Sequence, residues 1–281
     1  MIDLTDKINV FIVIPARFAS TRLPGKPLLN IGKQTMISRV TERAQSLAKL
    51  FSKNINVQNV HLVVATDHEE IFAEVQKLNA TAVMTDSNLK NGTERVFSAL
   101  KEIQKKLPIK NQDIVLNIQG DEPFFSLEDV YNLVEKMLNK QDIPLGTLAF
   151  RRTNSKMFFE SSVVKVICDN KQNALYFSRA PIPYPKDILG ATGLNWLEKA
   201  QNLQQEISFL HHVGVYSFRY QALCEYMTLV HSSLEQLESL EQLRALEAGW
   251  KILVCEALTE PFGIDTEDDL KQAQLIAQKF D

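Results

Sequence analysis

The chain has 281 residues, 45% hydrophobic and 23% charged, with a formal net charge of −3 at pH 7. That length and apolar content allow one large α/β domain with a substantial core, and the near-neutral balance excludes a general nucleic-acid binder, which would carry a basic excess. Three cysteines, Cys168, Cys224 and Cys255, are scattered with no C-x-x-C pair, which gives no zinc site and suits a reducing compartment. No apolar run approaches membrane-spanning length. Residues 1–10, with Asp3, Asp6 and Lys7, lack a secretory h-region, so a cytoplasmic location is expected.

In chain order, the apolar run 10–14 reads as a buried strand feeding a loop with Pro15, Pro24, Gly25 and Pro27, where neither strand nor helix continues. Residues 35–50 have helical spacing through Met36, Ile37, Val40, Ala44 and Leu47. A strand at 60–65 precedes a helix through Ile71, Val75 and Leu78, and 81–84 is a short strand. Residues 92–107 read as a helix stopped by Pro108, and 113–118 as a buried strand ending at a Gly120-Asp121 turn. Ser126 starts a helix through Val130, Leu133, Val134 and Met137, with Asp129 in the capping-box position. This β-α-β alternation predicts an α/β fold with a largely parallel sheet covered on both faces.

The second half is less regular. Strands are expected at 146–150, 163–168 and 211–218, a stiff extended loop at Pro181, Pro183 and Pro185, and a C-terminal helix at 266–280. Residues 187–206 are the least readable. Leu234, Leu237, Leu240, Leu243 and Leu246 recur every third residue, so on one helix they spiral by about 60° a step. Such a helix is buried on several sides, either in the core or between the core and a subunit interface.

The loop after the first strand holds Arg17, Arg22 and Lys26. Cations at the carboxyl edge of an α/β sheet sit where such folds bind ligands, and Arg forks with a Lys point charge suit phosphate oxygens. The expectation is a triphosphate site, although G-x-x-x-x-G-K-S/T and G-x-G-x-x-G are both absent. Asp121, after a buried strand, reaches the same edge. Asp265 precedes Thr266 at a helix start, where a capping role is the plain alternative. Gln119 can hydrogen-bond a base or ribose, and the turn at 92–95 opens a helix, where Thr93 and Glu94 read equally as caps. His212 and Tyr216, four apart on a strand, share one face and read equally as core. His211 beside His212 faces the other way, which excludes a metal pair.

Seven ordered segments resemble one family. They are Pro15-Ala16-Arg17 through Ser20-Thr21-Arg22 to Pro24-Gly25-Lys26-Pro27; Asn91-Gly92-Thr93-Glu94-Arg95; Asn117-Ile118-Gln119-Gly120-Asp121-Glu122-Pro123; Ser178-Arg179-Ala180-Pro181-Ile182-Pro183; His212-Val213-Gly214-Val215-Tyr216; Leu240-Glu241-Gln242-Leu243-Arg244; and Gly263-Ile264-Asp265-Thr266. The chain is similar over most of its length to the 3-deoxy-manno-octulosonate (Kdo) cytidylyltransferases, which are sugar-activating nucleotidylyltransferases.

The resemblance implies a mostly parallel mixed sheet flanked by helices, Rossmann-like in the manner of nucleotide-diphospho-sugar transferases. It implies a single cytidylyltransferase domain over 1–281, with a sugar-binding and dimerisation subregion at about 151–250. The implied reaction transfers CMP from CTP to Kdo, releasing pyrophosphate, for lipopolysaccharide synthesis. Implied catalytic residues are Arg17, Lys26, Asp121 and Asp265, the two aspartates holding Mg²⁺. Nucleotide contacts fall to Pro15, Ala16, Arg17, Arg22, Lys26, Thr93, Arg95 and Gln119, and sugar contacts to Arg179, His212, Tyr216, Glu241 and Gln242, with Arg179 facing the sugar carboxylate. The partners implied are CTP, Kdo and a second copy of the chain, with no nucleic acid and no membrane span.

Asn91 stands where the family has Ser, keeping a polar side chain, and Pro185 follows Tyr184 where the family often has a charge, which bears on sugar fit. Residues 46–61 and the region around Pro108 look like surface extensions. Alternatives are the same reaction on 8-amino-Kdo or a sialic acid, or a non-catalytic CTP-binding sensor.

Overall fold

The computed structural model describes residues 7–19, 23–189 and 206–278. Arg22, most of the 187–206 stretch and the end of the C-terminal helix expected at 266–280 lie outside the described residues.

Strand β1 (Ile8–Ala16) runs into the basic loop. The loop closes with a single 3-10 turn, Lys26–Leu28, and a short hairpin of β2 (Asn30–Ile31) and β3 (Gln34–Thr35). Helix α1 (Met36–Phe51) starts at Thr35, whose side chain accepts from Ser38 N–H and so satisfies one of the free amides of the first turn. Next come β4 (Val57–Thr66), α2 (Glu69–Lys77), β5 (Thr81–Met84), α3 (Gly92–Gln104), β6 (Ile114–Asn117) and α4 (Leu127–Asn139). The second half holds β7 (Leu145–Arg152), α5 (Ser155–Phe159), β8 (Lys165–Cys168), β9 (Ala174–Ser178), α6 (Lys186–Leu189) and β10 (Phe209–Arg219). It ends with α7 (Tyr220–Tyr226), α8 (Ser233–Glu238), α9 (Gln242–Glu247), β11 (Ile252–Ala257) and α10 (Glu267–Ala277).

The main sheet has the order β11-β7-β10-β6-β1-β4-β5, with β8 and β9 added beside β10. Among the described residues, six of the seven strands on that path point the same way and β10 alone is reversed. β1 is central, with Val13 opposite both Val63 and Asn117. Its alternate residues face two cores. Val10, Ile12 and Ile14 pack with α1 and α4 through Ile37, Val40, Val130 and Leu133. Phe11 and Val13 belong with Val96 and Leu100 of α3 and with Leu223 and Tyr226 of α7. Because both faces are covered, β1 is a nearly continuous apolar run rather than an alternating one, interrupted by the buried Asn9, which donates to the Asp113 carboxylate. Among the described residues no helix is long and apolar enough to cross a membrane.

Three expectations need correction. The leucine-repeat segment is not one helix. Ser239 takes a left-handed conformation, φ 52°, and breaks it into α8 and α9; Leu237 is 82% exposed while Leu240 and Leu243 are buried. Asp129 forms only half a capping box: its N–H donates to Ser126 Oγ, but its carboxylate accepts from Leu258 N–H and Thr259 N–H, both at 3.0 Å, tying α4 to the end of β11. Strands β9 and β11 and the β2–β3 hairpin are additional to the sequence expectation.

Candidate active site

The carboxyl ends of β1 and β6 open onto a cavity of about 380 Å³ lined by Pro15, Ala16, Arg17, Lys26, Pro27, Leu89, Lys90, Asn91, Gly92, Arg95, Gln119, Gly120, Asp121 and Asp265. β1 and β6 are neighbours, so the turn after each reaches the same edge. Gly120 makes this possible: a Cβ there would lie 2.9 Å from the Pro15 carbonyl oxygen. Gly25, at φ +63°, turns the basic loop into the 3-10 turn that delivers Lys26.

Lys26 is the centre of charge. Its Nζ donates to Asp121 Oδ2 at 2.6 Å and to Asp265 Oδ1 at 3.0 Å, joining two carboxylates 144 residues apart in sequence. Backbone bonds hold their turns together: Ile264 N–H donates to Asp121 O at 3.1 Å. Thr266 caps α10 in a reciprocal pair with Asp269, and Asp265 N–H also donates to Asp269. The cap is therefore the neighbouring threonine, which leaves the Asp265 side chain for the cavity.

Arg95 lines the cavity but is 2% exposed and anchored, donating to Asp67 Oδ2 at 3.0 Å and Thr85 Oγ1 at 2.6 Å. Thr93 is buried behind this layer, accepting from Asn117 Nδ2, and does not line the cavity. Asn91 fills the place of the expected serine as N-cap of α3, accepting from Glu94 N–H at 2.8 Å. Gln119 donates to Gly214 O at 3.1 Å, linking the cavity to the stretch of β10 where its register with β7 shifts.

Beyond that link lies a buried polar cluster. His212 pairs with Thr147 Oγ1 at 2.9 Å, and its ring is 5.5 Å from that of Tyr216, whose hydroxyl donates to Gln242 Oε1 at 3.1 Å. Burial, with a contribution from His211, pushes His212 down to about 3, so it is a neutral imidazole. Burial raises the Tyr216 phenol. Burial raises Glu241 to about 7 against the opposing Thr93 hydrogen bond and Arg244 charge. Glu122 rises to about 8, through burial first and then Asp121, with Lys26 opposing. Asn117 Oδ1, Glu241 Oε2 and Gln242 Nε2 are buried with no hydrogen-bond partner in the protein. Each such group costs about 1–3 kcal/mol unless a ligand satisfies it.

The structure does not bring Arg179 to the cavity lining. Its guanidinium donates to the carbonyls of Glu238, Ser239 and Ser161, and its N–H to Glu238 Oε2. Pairing with a ligand carboxylate would require it to leave that grip. Sequence reasoning passed over Lys90, Glu122 and Thr147. Lys90 and Glu122 lie inside or beside matched segments. Thr147 becomes visible only once β7 pairs with β10, setting it opposite Tyr216.

A family model described as cytidylyltransferase matches residues 11–252. The class is thereby defined: a cytidylyltransferase whose basic loop and paired carboxylates share one sheet edge. The chain is 38% identical over 267 residues to the 3-deoxy-manno-octulosonate cytidylyltransferase of Idiomarina loihiensis, covering 95% of this chain and 97% of the relative. It is 40% identical over 265 residues to that of Thermodesulfovibrio yellowstonii, covering 93% and 95%. A solved structure of CMP:2-keto-3-deoxy-manno-octonic acid synthetase complexed with CTP superposes with a TM-score of 0.79 at 37% identity, covering 96% of this chain and 99% of the other. The chain belongs to the 3-deoxy-manno-octulosonate cytidylyltransferase family, and its α/β, Rossmann-like sheet is that family's fold.

Proposed function

We propose that this protein transfers CMP from CTP to Kdo, forming CMP-Kdo and pyrophosphate. The observation that carries the site assignment is the convergence of Asp121 and Asp265 on Lys26 at the mouth of the cavity. A sugar hydroxyl attacks the α-phosphorus of CTP; the new P–O bond forms as the bond to the β-phosphate breaks, and pyrophosphate leaves. Catalysis of such a step is mostly alignment and charge stabilisation. Arg17 and Lys26 are assigned to the β- and γ-phosphates, with Arg22 from the same loop. Pro15, Ala16, Arg95 and Gln119 frame the nucleoside, with Thr93 behind them. His212, Tyr216, Glu241 and Gln242 are assigned to the acceptor, supported by the unsatisfied buried polar atoms of Glu241 and Gln242 beside the hydrogen-bonded His212 and Tyr216. The Glu241 carboxylate accepts from sugar hydroxyls, and the Gln242 amide donates to a hydroxyl or carboxylate oxygen.

The residues fit a magnesium ion. Among the described residues no group of three or more His, Cys, Asp or Glu side chains is set to hold a metal. Two carboxylates suffice for Mg²⁺, which keeps waters and takes phosphate oxygens as its remaining ligands. Asp121 and Asp265 would hold it, and when bound it supplies positive charge to the phosphate oxygens and lowers the pKa of a hydroxyl it touches. We also assign the chain to a cytoplasmic homodimer serving lipopolysaccharide synthesis. Three free cysteines suit that compartment, and exposed Leu175, Val230 and Leu237 in the 151–250 subregion supply apolar surface for a second copy.

Pyrophosphate release from CTP and Mg²⁺ is the direct test, with Kdo, 8-amino-Kdo, a sialic acid or no acceptor. Release dependent on Kdo is expected. Preference for another acid sugar reassigns the acceptor, and CTP binding without release under any condition makes the protein a sensor.

A further inference from the structure

We propose that Asp67 and His68, in the turn between β4 and α2, are positioning residues that clamp both ends of the basic loop and thereby hold Arg17 and Lys26 on the triphosphate. The proposal rests on the cytidylyl-transfer reading above. Neither residue lines the cavity, so both act through others.

The clamp is a chain of contacts. Arg95 donates to Asp67 Oδ2 at 3.0 Å, and the two side chains are 3% and 7% exposed. Both partners of this ion pair are buried, so removing either would leave the other without its counter-charge. The other oxygen, Oδ1, accepts from Phe18 N–H at 3.0 Å, one residue past Arg17. The Phe18 ring then stacks on the His68 ring, centroids 3.8 Å apart and planes 9° from parallel. The same ring lies against Gly25, where an added Cβ would sit 3.4 Å from it. Gly25 starts the turn that presents Lys26. One aromatic ring therefore joins the beginning of the loop to its end, and the β4–α2 turn holds that ring. Fixing a loop before the ligand arrives lowers the ordering cost of binding.

His68 has a second role that can be separated from the first. Its Nδ1 accepts from Glu70 N–H at 3.3 Å and caps α2. Asparagine can cap without stacking, and phenylalanine can stack without capping. CTP affinity of the full-length proteins, by calorimetry with Mg²⁺, is compared with melting temperature and with the KM for each substrate. His68→Asn is expected to keep the melting temperature and weaken CTP binding about three- to tenfold, the value of one aromatic contact. His68→Phe is expected to melt lower yet bind CTP as the native chain does. Phe18→Leu should match His68→Asn, and the double variant should lose no more than either, because both remove one stack. The acceptor KM stays unchanged throughout. CTP affinity that follows melting temperature across the series, or native affinity in His68→Asn, overturns the clamp. Failure of the native protein to release pyrophosphate overturns the reaction instead, and CTP binding still decides the clamp.

Discussion

Asp121, Asp265 and Lys26 form a charge triangle in which each side chain sets the field felt by the others. Asp121→Asn is expected to abolish pyrophosphate release while weak CTP binding survives; normal turnover would remove Asp121 from the metal assignment. Gly120→Ala places a methyl 2.9 Å from the Pro15 carbonyl oxygen, a backbone atom that cannot swing aside. Displacement of the β1 or β6 turn is expected to lower kcat/KM for CTP by at least about tenfold, the effect of a small misplacement of reacting groups. Glu241 gives a pH signature. Its carboxyl titrates near 4.5 in the unfolded chain and near 7 in the folded one, because burial disfavours its charge. The folded state binds that proton more tightly, so its stabilising effect is full below about 4.5 and is lost as pH rises through about 7. Glu241→Gln should remove this slope. Melts taken across the window would show the native protein losing ground to the variant, and parallel profiles would contradict the burial argument.

At the scale of elements, the α8–α9 corner decides where Glu241 and Gln242 stand. Arg179 grips one side through carbonyls. On the other, Arg244 donates to Glu235 at 2.8 Å and 2.5 Å and lies 4.7 Å over the Tyr226 ring, whose hydroxyl donates to Glu241 O. Arg244→Ala leaves a nearly buried carboxylate unpaired and is expected to cost about 3–5 kcal/mol in denaturant unfolding. It should raise the acceptor KM more than the KM for CTP. The leucine repeat hides this corner. Periodicity reports only local spacing, whereas the break at Ser239 is held by Ser178 and Arg179, distant in sequence. For the same reason Arg179 reads from sequence as a ligand for a carboxylate: its hydrogen-bond partners are carbonyls, which every residue carries. Asp129 likewise reads as a local cap because Leu258 and Thr259, its true partners, lie in another strand's exit turn.

At the scale of the molecule, the sheet's parallel half is legible because β1, β4 and β6 each contain an apolar run, 10–14, 62–65 and 114–116, set between clear helix starts. The half built around reversed β10 is harder to read. Its longest strand, β10, mixes polar with apolar residues, β8 and β9 are short, and the strand order depends on pairings such as Tyr216 with both Asn117 and Thr147. The residues assigned to phosphate lie mostly in one contiguous loop, whose clustered cations are legible in the sequence; those assigned to the acceptor lie on β10 and at the start of α9 and are reached only through family likeness. A homodimer of 31.9 kDa chains is expected in solution. Light scattering of Leu237→Asp, a change at an 82% exposed position, should give the mass of one chain with an unchanged melting profile. An unaltered dimer would place the contact elsewhere.

Lys26 is also an internal counterion. While its ammonium lies between Asp121 and Asp265, half of the negative charge that would draw a divalent ion from solution is already offset, and the cation itself repels a second one. A triphosphate offers that ammonium a competing anion, so nucleotide and metal are expected to enter as one exchange rather than two independent events. Lys26→Met would uncover the carboxylates, and the variant's melting temperature should rise more with added Mg²⁺ than the native protein's does, even as turnover is lost. A single side chain would thus keep the site closed to free metal and open to metal that arrives with its substrate.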